Sequence, residues 1–346
     1  MKRKNLEKAI ILGLMAASIS VPVWADDINK EGGFFVGNVN VDEEMNTNES
    51  YIIDATKGTS TGIGFNGTFD ILNGKLSVTS KSNGISAGWM ANATVNIFAR
   101  DITINSGDNG IFTTYGDLTD YLTGSGHVNI GSEDRRVESL RITAGGQGID
   151  NKKGSVTVYG SDTSTIDIHS TGTSGDDPDQ AGINNSSGVG GVLIQGGSIK
   201  VSADKGSGIK QSSSSSTIIE ANGKVTIEAN HSSKDVAGIT SNNGNVNITA
   251  NNDIEITSNK YGINTTSKGQ VNLNGKNNTI KSDTYGVNAE NNAQVKIIGK
   301  NNIIEAAKDV KGYGSSYAIK VDTASKWYNG ADTVLNAIDG NNELYG

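Results

Sequence analysis

Apolar side chains recur along this chain as pairs split by one residue, and the pairs come in sets. One set holds Leu76 and Val78, Ile102 and Ile104, Leu140 and Ile142, Ile166 and Ile168, Ile199 and Val201, Val225 and Ile227, and Ile254 and Ile256. A second holds Val95 and Ile97, Val128 and Ile130, Val156 and Val158, Val246 and Ile248, Val271 and Leu273, and Val295 and Ile297. Residues i and i+2 of a strand face the same side, so each pair predicts a short strand with one apolar face. The β-branched side chains that dominate both sets suit a pleated, half-buried surface.

A third signal alternates with these two. Glycine followed by an apolar residue recurs at Gly62-Ile63, Gly84-Ile85, Gly110-Ile111, Gly148-Ile149, Gly182-Ile183, Gly208-Ile209, Gly238-Ile239, Gly262-Ile263 and Gly286-Val287, with Ala318-Ile319 continuing the series. The intervals are 22, 26, 38, 34, 26, 30, 24, 24 and 32 residues. A minimum near 22 to 24 with variable excess describes one fixed unit carrying loops of different length.

Three short strands with one apolar face each cannot bury that face alone. Stacked units bury it, each strand pairing in parallel with its equivalent in the next unit. The expected fold is therefore all-β, a right-handed single-stranded parallel β-helix (solenoid) of about ten coils, a rod core roughly 45 to 50 Å long at about 4.8 Å per strand. The glycines are expected at corners needing positive φ, and the pairs Asn277-Asn278, Asn291-Asn292 and Asn301-Asn302 at bends, with asparagine ladders as a further expectation. The largest excess falls at 115–126 with 131–136 and at 172–180, the loops where binding residues of a rigid scaffold would sit.

The first 25 residues break this pattern. Lys2, Arg3, Lys4 and Lys8 precede the apolar run Ala9 to Ala17, and Val23-Trp24-Ala25 closes it. This is the grammar of a secretory signal peptide cleaved between Ala25 and Asp26; the run is too short to span a bilayer, which takes about 20 apolar residues. Residues 26–51 are expected as an N-terminal cap or leader, 52–325 as the β-helix and 326–346 as a separate C-terminal segment. After cleavage the chain keeps 25 basic and 36 acidic residues. That balance argues against nucleic acid as a partner and against docking on anionic lipid. With 45 glycines, two prolines and no cysteine, stability has to come from the repetitive core and backbone hydrogen bonds rather than disulfides.

Candidate chemistry is sparse. Asp176-Asp177-Pro178-Asp179 is the one dense acidic cluster in the sequence, and its carboxylates are of the ligand type that calcium takes. His127, His169 and His231 fall in different units with no zinc-ligand spacing. Ser106-Gly107-Asp108-Asn109-Gly110 lacks the serine that the Gly-Asp-Ser-Gly motif of immunoglobulin A protease-like passengers carries. Trp89, Tyr115, Tyr121 and Tyr159 are candidate sugar platforms. No catalytic residue, cofactor or metal ligand is assigned.

The C-terminal stretch carries a resemblance. Trp327, Gly330, Val334, Leu335, Ile338, Gly340, Leu344 and Tyr345 match the last passenger segment of pertactin-like autotransporters, and with the leader and the repeats the whole chain resembles such a passenger. The resemblance implies an exported, cell-surface or secreted, non-enzymatic adhesin-like scaffold. Its partners would be an outer-membrane barrel translocator and a host or cell-surface ligand, protein or glycan. The barrel is expected on a continuation of the chain past Gly346, or else on another chain. The alternative is a secreted polysaccharide lyase or glycoside hydrolase, since β-helices also host such enzymes. Carboxylates converging from neighbouring coils in a groove would mark it.

Overall fold

The computed structural model describes residues 28–31, 34–45, 47–57, 61–88, 92–114, 125–174, 180–231, 236–306, 317–321, 326–328 and 338–345. They form a parallel β-solenoid with no helix among them. Its three faces are built from the three repeating signals.

On the first face, Ile63, Ile85, Ile111, Ile149, Ile183, Ile209, Ile239, Ile263, Val287 and Ile319 pair one above the next, so nine turns separate Ile63 from Ile319. On the second face, Val95, Val128, Val156, Val192, Thr217, Val246, Val271 and Val295 form one inward column. On the third, Ile53, Val78, Ile104, Ile142, Ile168, Val201, Ile227, Ile256, Ile280 and Ile304 form another. These columns meet in one continuous apolar core in which almost every member is fully buried. Each buried aliphatic side chain contributes about 1.5–3 kcal/mol relative to exposure. Near the N-terminal end Tyr51 and Phe69 close the core edge to face, with ring centroids 4.8 Å apart.

The segment expected as a cap or leader supplies ladder strands. Ile28–Glu31 pairs in parallel with 51–54, and Phe34–Glu44 runs along Ile63–Leu72. At the other end Lys326–Tyr328 and Ile338–Tyr345 lie in parallel register on Gln294–Ala306, with Trp327 opposite Val295, Ile338 opposite Ile297, Leu344 opposite Ile304 and Tyr345 opposite Glu305. Gly330, Val334 and Leu335 lie outside the described residues, as do Ala25 and Asp26.

Two expectations about corners need correction. The glycines of the Gly-Ile series do not have positive φ; that conformation belongs to Gly67, Gly88, Gly131, Gly154, Gly172 and Gly244. The series is glycine because the chain passes too close to its neighbours. A Cβ on Gly84 would lie 2.2 Å from Ile104 Cγ2 and 2.7 Å from the Gly110 carbonyl oxygen; on Gly148, 2.4 Å from Ile168 Cγ2 and 2.5 Å from the Gly182 oxygen. The same pair of obstacles, the third-face residue of its own unit and the next glycine's carbonyl, confronts Gly62, Gly110, Gly182, Gly208, Gly238 and Gly262. Those carbonyls accept the ladder bonds, as from Ile85 N to Gly110 O at 2.9 Å and Ile149 N to Gly182 O at 2.9 Å. Asn291 and Asn292 do take positive φ, 60° and 67°. Asn277-Asn278 and Asn301-Asn302 instead continue within strands, and Asn278 and Asn302 turn inward into the column occupied lower down by Ile254.

Candidate functional site

Hydrogen bonds between equivalent positions organise both the inside and the outside of the solenoid. Inside the first face, Thr113, Asn151, Asn185, Gln211, Ser241 and Thr265 occupy one column and are fully buried. Asn151 Nδ2 donates to Asn185 Oδ1 at 2.9 Å, and Asn185 Nδ2 donates to Gln211 Oε1 at 2.9 Å. Thr217, which interrupts the second-face valine column, donates to the same Gln211 oxygen at 2.8 Å. Carbon side chains at these places would leave their polar neighbours buried and unpaired. Outside, Asn129 donates to Asn96, Asn272 to Asn247, Asn288 to Asn264, and Asn301 to Asn277, which in turn donates to Asp253. The expected asparagine ladders are therefore present.

Some of the charge on the outer surface is paired between neighbouring coils, as in Lys200 with Glu228, Lys224 with Glu255, Lys281 with Glu305 and Arg141 with Asp167. The 131–136 loop, expected as a binding loop, is fastened down. Arg135 forks onto Asp70 at 2.5 and 2.7 Å and lies over the Phe98 ring, while Arg136 donates to the Gly160 carbonyl and lies over Tyr159. Of the 172–180 loop the described part is tied too: Ser174 bonds the Gly145 carbonyl and Asp108, and Ser170 Oγ donates to Gln180 O. Asp176, Asp177, Pro178 and Asp179 lie outside the described residues, as do Trp89, Tyr115 and Tyr121. Tyr261 and Tyr285, the repeated Tyr-Gly positions, stack with centroids 5.2 Å apart.

The titratable groups stand as follows. Asp150 is almost fully buried on the outward side of the first face. Burial raises its pKa; the Lys152 charge and the Asn184 amide, 3.5 Å and 2.8 Å away, oppose that, and Asp108 adds to it. Thr56 donates twice to Asp54 and holds its carboxyl below the usual value. His127 sits between two serines, Ser125 at 2.9 Å on Nε2 and Ser155 at 2.8 Å on Nδ1. Such a contact can activate a hydroxyl, but both ring nitrogens are taken by hydroxyls, leaving neither to an orienting carboxylate. His169 pairs with Asp204 at 3.0 Å, and His231 lies beyond the strand Val225–Ala229. Among the described residues no three His, Cys, Asp or Glu side chains gather as metal ligands.

A shallow groove runs along the corner between the second and third faces. It is lined by Thr249, Asn274 and Ile298 on one wall, Asn251, Lys276 and Lys300 on the other, with Ala250, Gly275 and Gly299 as its floor. The floor residues are equivalent positions of successive coils. The sequence carries the groove as Gly275-Lys276-Asn277-Asn278 repeated at Gly299-Lys300-Asn301-Asn302. That repetition is the signal the sequence holds for it, beside the bends and asparagine ladders expected of the same residues. Gly340-Asn341-Asn342 repeats it once more, with Asn341 opposite Asn301. Gly340 thus occupies a coil corner as well as matching the C-terminal resemblance.

No family model, no curated protein and no solved structure was found to match this chain. The class that stands on the fold is a parallel β-solenoid protein.

Proposed function

We propose that this chain is an autotransporter-like passenger, exported by its leader and held at or released from the cell surface, where it works as a non-enzymatic adhesin-like scaffold. The observation that supports this reading best is the parallel ladder from the first described strands to the last, with an apolar core from Tyr51 to Ile304 and an outer surface that carries polar ladders and ion pairs. A rod of this kind converts backbone pairing into reach, and holds its outer side chains at fixed spacing. The leader, and the C-terminal segment laid on the final coil, suit a chain that crosses an envelope unfolded and folds outside. An outer-membrane barrel translocator, on the same chain or another, would be its partner in export.

The test is expression of the full chain with a barrel translocator fused after Gly346 in a Gram-negative host. Shaving of intact cells with protease should remove the solenoid, and beads coated with the purified chain should adhere to target cells. A chain that stays in the cytoplasm with its leader uncleaved would overturn export. Release of unsaturated or reducing ends from polysaccharide would move the reading to the lyase or hydrolase alternative.

A further inference from the structure

The structure assigns to the corner groove a binding site for a linear acidic polysaccharide, one bearing carboxylates or sulfate esters on successive sugars; this names the ligand class of the binding-scaffold reading and rests on it. Three observations converge. Lys276 and Lys300 are exposed on one wall, one coil apart, so strand spacing sets their backbones about 4.8 Å from each other. No ion pair of either is seen among the described residues, whereas Lys200, Lys224 and Lys281 each meet a glutamate on an adjacent coil. Two like charges held this close repel, and an anion laid between them relieves that repulsion.

The rest of the groove favours sugar. Thr249, Asn251 and Asn274 are exposed along it and offer a hydroxyl and two amides, which match the donor and acceptor pattern of sugar hydroxyls. The Ala-Gly-Gly floor keeps the trough open along the solenoid axis, so a ligand of repeating units lies along a protein of repeating units. Beneath it the corner is held rigid: Asn278 Nδ2 donates to the Ile298 carbonyl at 2.8 Å and to Asn302 Oδ1 at 2.6 Å, and Asn302 Nδ2 to the Gly299 carbonyl. Outside it the ladder Asp253–Asn277–Asn301 fixes the strands that follow each lysine. Single-stranded nucleic acid would want aromatic stacking platforms, and among the described residues no aromatic side chain lines the groove.

The experiment immobilises the whole chain and measures binding of polygalacturonate, dextran sulfate, neutral dextran and poly-glutamate. Variants are Lys276→Gln/Lys300→Gln and, removing the same charge at paired sites, Lys200→Gln/Lys224→Gln, each checked for an unchanged urea midpoint. Binding of polygalacturonate or dextran sulfate is expected. It should weaken at least about tenfold in the groove variant, the 1.4 kcal/mol that two exposed charge contacts supply together, and persist in the paired-site variant. The polymer that binds says which anion is read. Equal loss in both variants, or equal binding of poly-glutamate, would overturn the assignment in favour of bulk charge. Failure of every polysaccharide to bind overturns it too, and leaves the scaffold reading to the adhesion assay. Depolymerisation of a bound polysaccharide would support the site and overturn the non-enzymatic reading.

Discussion

Gly148 separates the two explanations of the glycine series. Were glycine there for its backbone freedom, alanine would cost little, because the φ of Gly148 is one that any residue adopts. The close-approach explanation gives a different magnitude. An added Cβ stands 2.4 Å from Ile168 Cγ2 and 2.5 Å from the Gly182 oxygen, against ordinary contacts of about 3.5–4 Å. Ile168 is fully buried and its Cγ2 is fixed by a β-branched rotamer, so it cannot swing aside. The Gly182 oxygen accepts the ladder bond from Ile149 N at 2.9 Å, and moving it by an ångström breaks that bond. Overpacking costs about 1–3 kcal/mol and the weakened hydrogen bond about 0.5–1.5. The stiffer unfolded chain returns about 0.4–1. The net expectation for Gly148→Ala is a loss of about 0.5–4 kcal/mol. Gly188 is the internal control, with nothing within 4 Å of its added Cβ, so Gly188→Ala should be neutral or slightly stabilising. Urea unfolding followed by circular dichroism measures both. Since solenoids unfold by segments, hydrogen exchange should also show protection lost first around 110–183 in Gly148→Ala. Equal midpoints for the two variants would refute the close-approach argument. In a double-mutant cycle Ile168→Ala should cost less in the Gly148→Ala background than in the unchanged chain, by only part of the Gly148→Ala loss, because the carbonyl obstacle remains.

Three more outcomes are expected. Asn185→Leu keeps the branching but takes the partner from Asn151 Nδ2 and a donor from Gln211 Oε1; it should destabilise by about 1–3 kcal/mol, read as a lowered urea midpoint. Asp150 has its pKa raised by burial, so its contribution is fully present below the unfolded carboxyl value and is lost as pH rises through the folded one. Asp150→Asn should therefore raise stability at pH 7 and make no difference near pH 3, and a midpoint difference that stays constant with pH would count against this. Arg135→Gln removes the fork onto Asp70 and the stack on Phe98 at a partly exposed site; the loss should stay near 1 kcal/mol and shrink in 1 M salt.

The solenoid was legible in the sequence because its causes are local and repeated. An apolar pair at i and i+2 makes a one-faced strand wherever it stands, and a fixed unit with variable loops reveals itself by returning to Gly-Ile. Three exceptions within the columns were not legible: Thr217 among the valines, and Asn278 and Asn302 above Ile254. Thr217 needs Gln211 across the corner, and Asn278 needs the Ile298 carbonyl and Asn302 in the next coil. The column Thr113–Asn151–Asn185–Gln211 joins residues 38, 34 and 26 positions apart, each three residues after a glycine of the repeating series, yet that series says nothing of their side chains bonding one another across coils. The glycine series showed where the fold repeats, yet only the packed structure gave the reason, because a carbonyl and a Cγ2 from other strands fill the space a side chain would need. The corner groove follows the same rule. Its lysines repeat in the sequence, while their exposure beside one another, on a floor of alanine and glycine and without acidic partners among the described residues, depends on which coil lies against which. Local pattern determined the strands and their stacking; the contacts between coils decided what each exception and each surface position does.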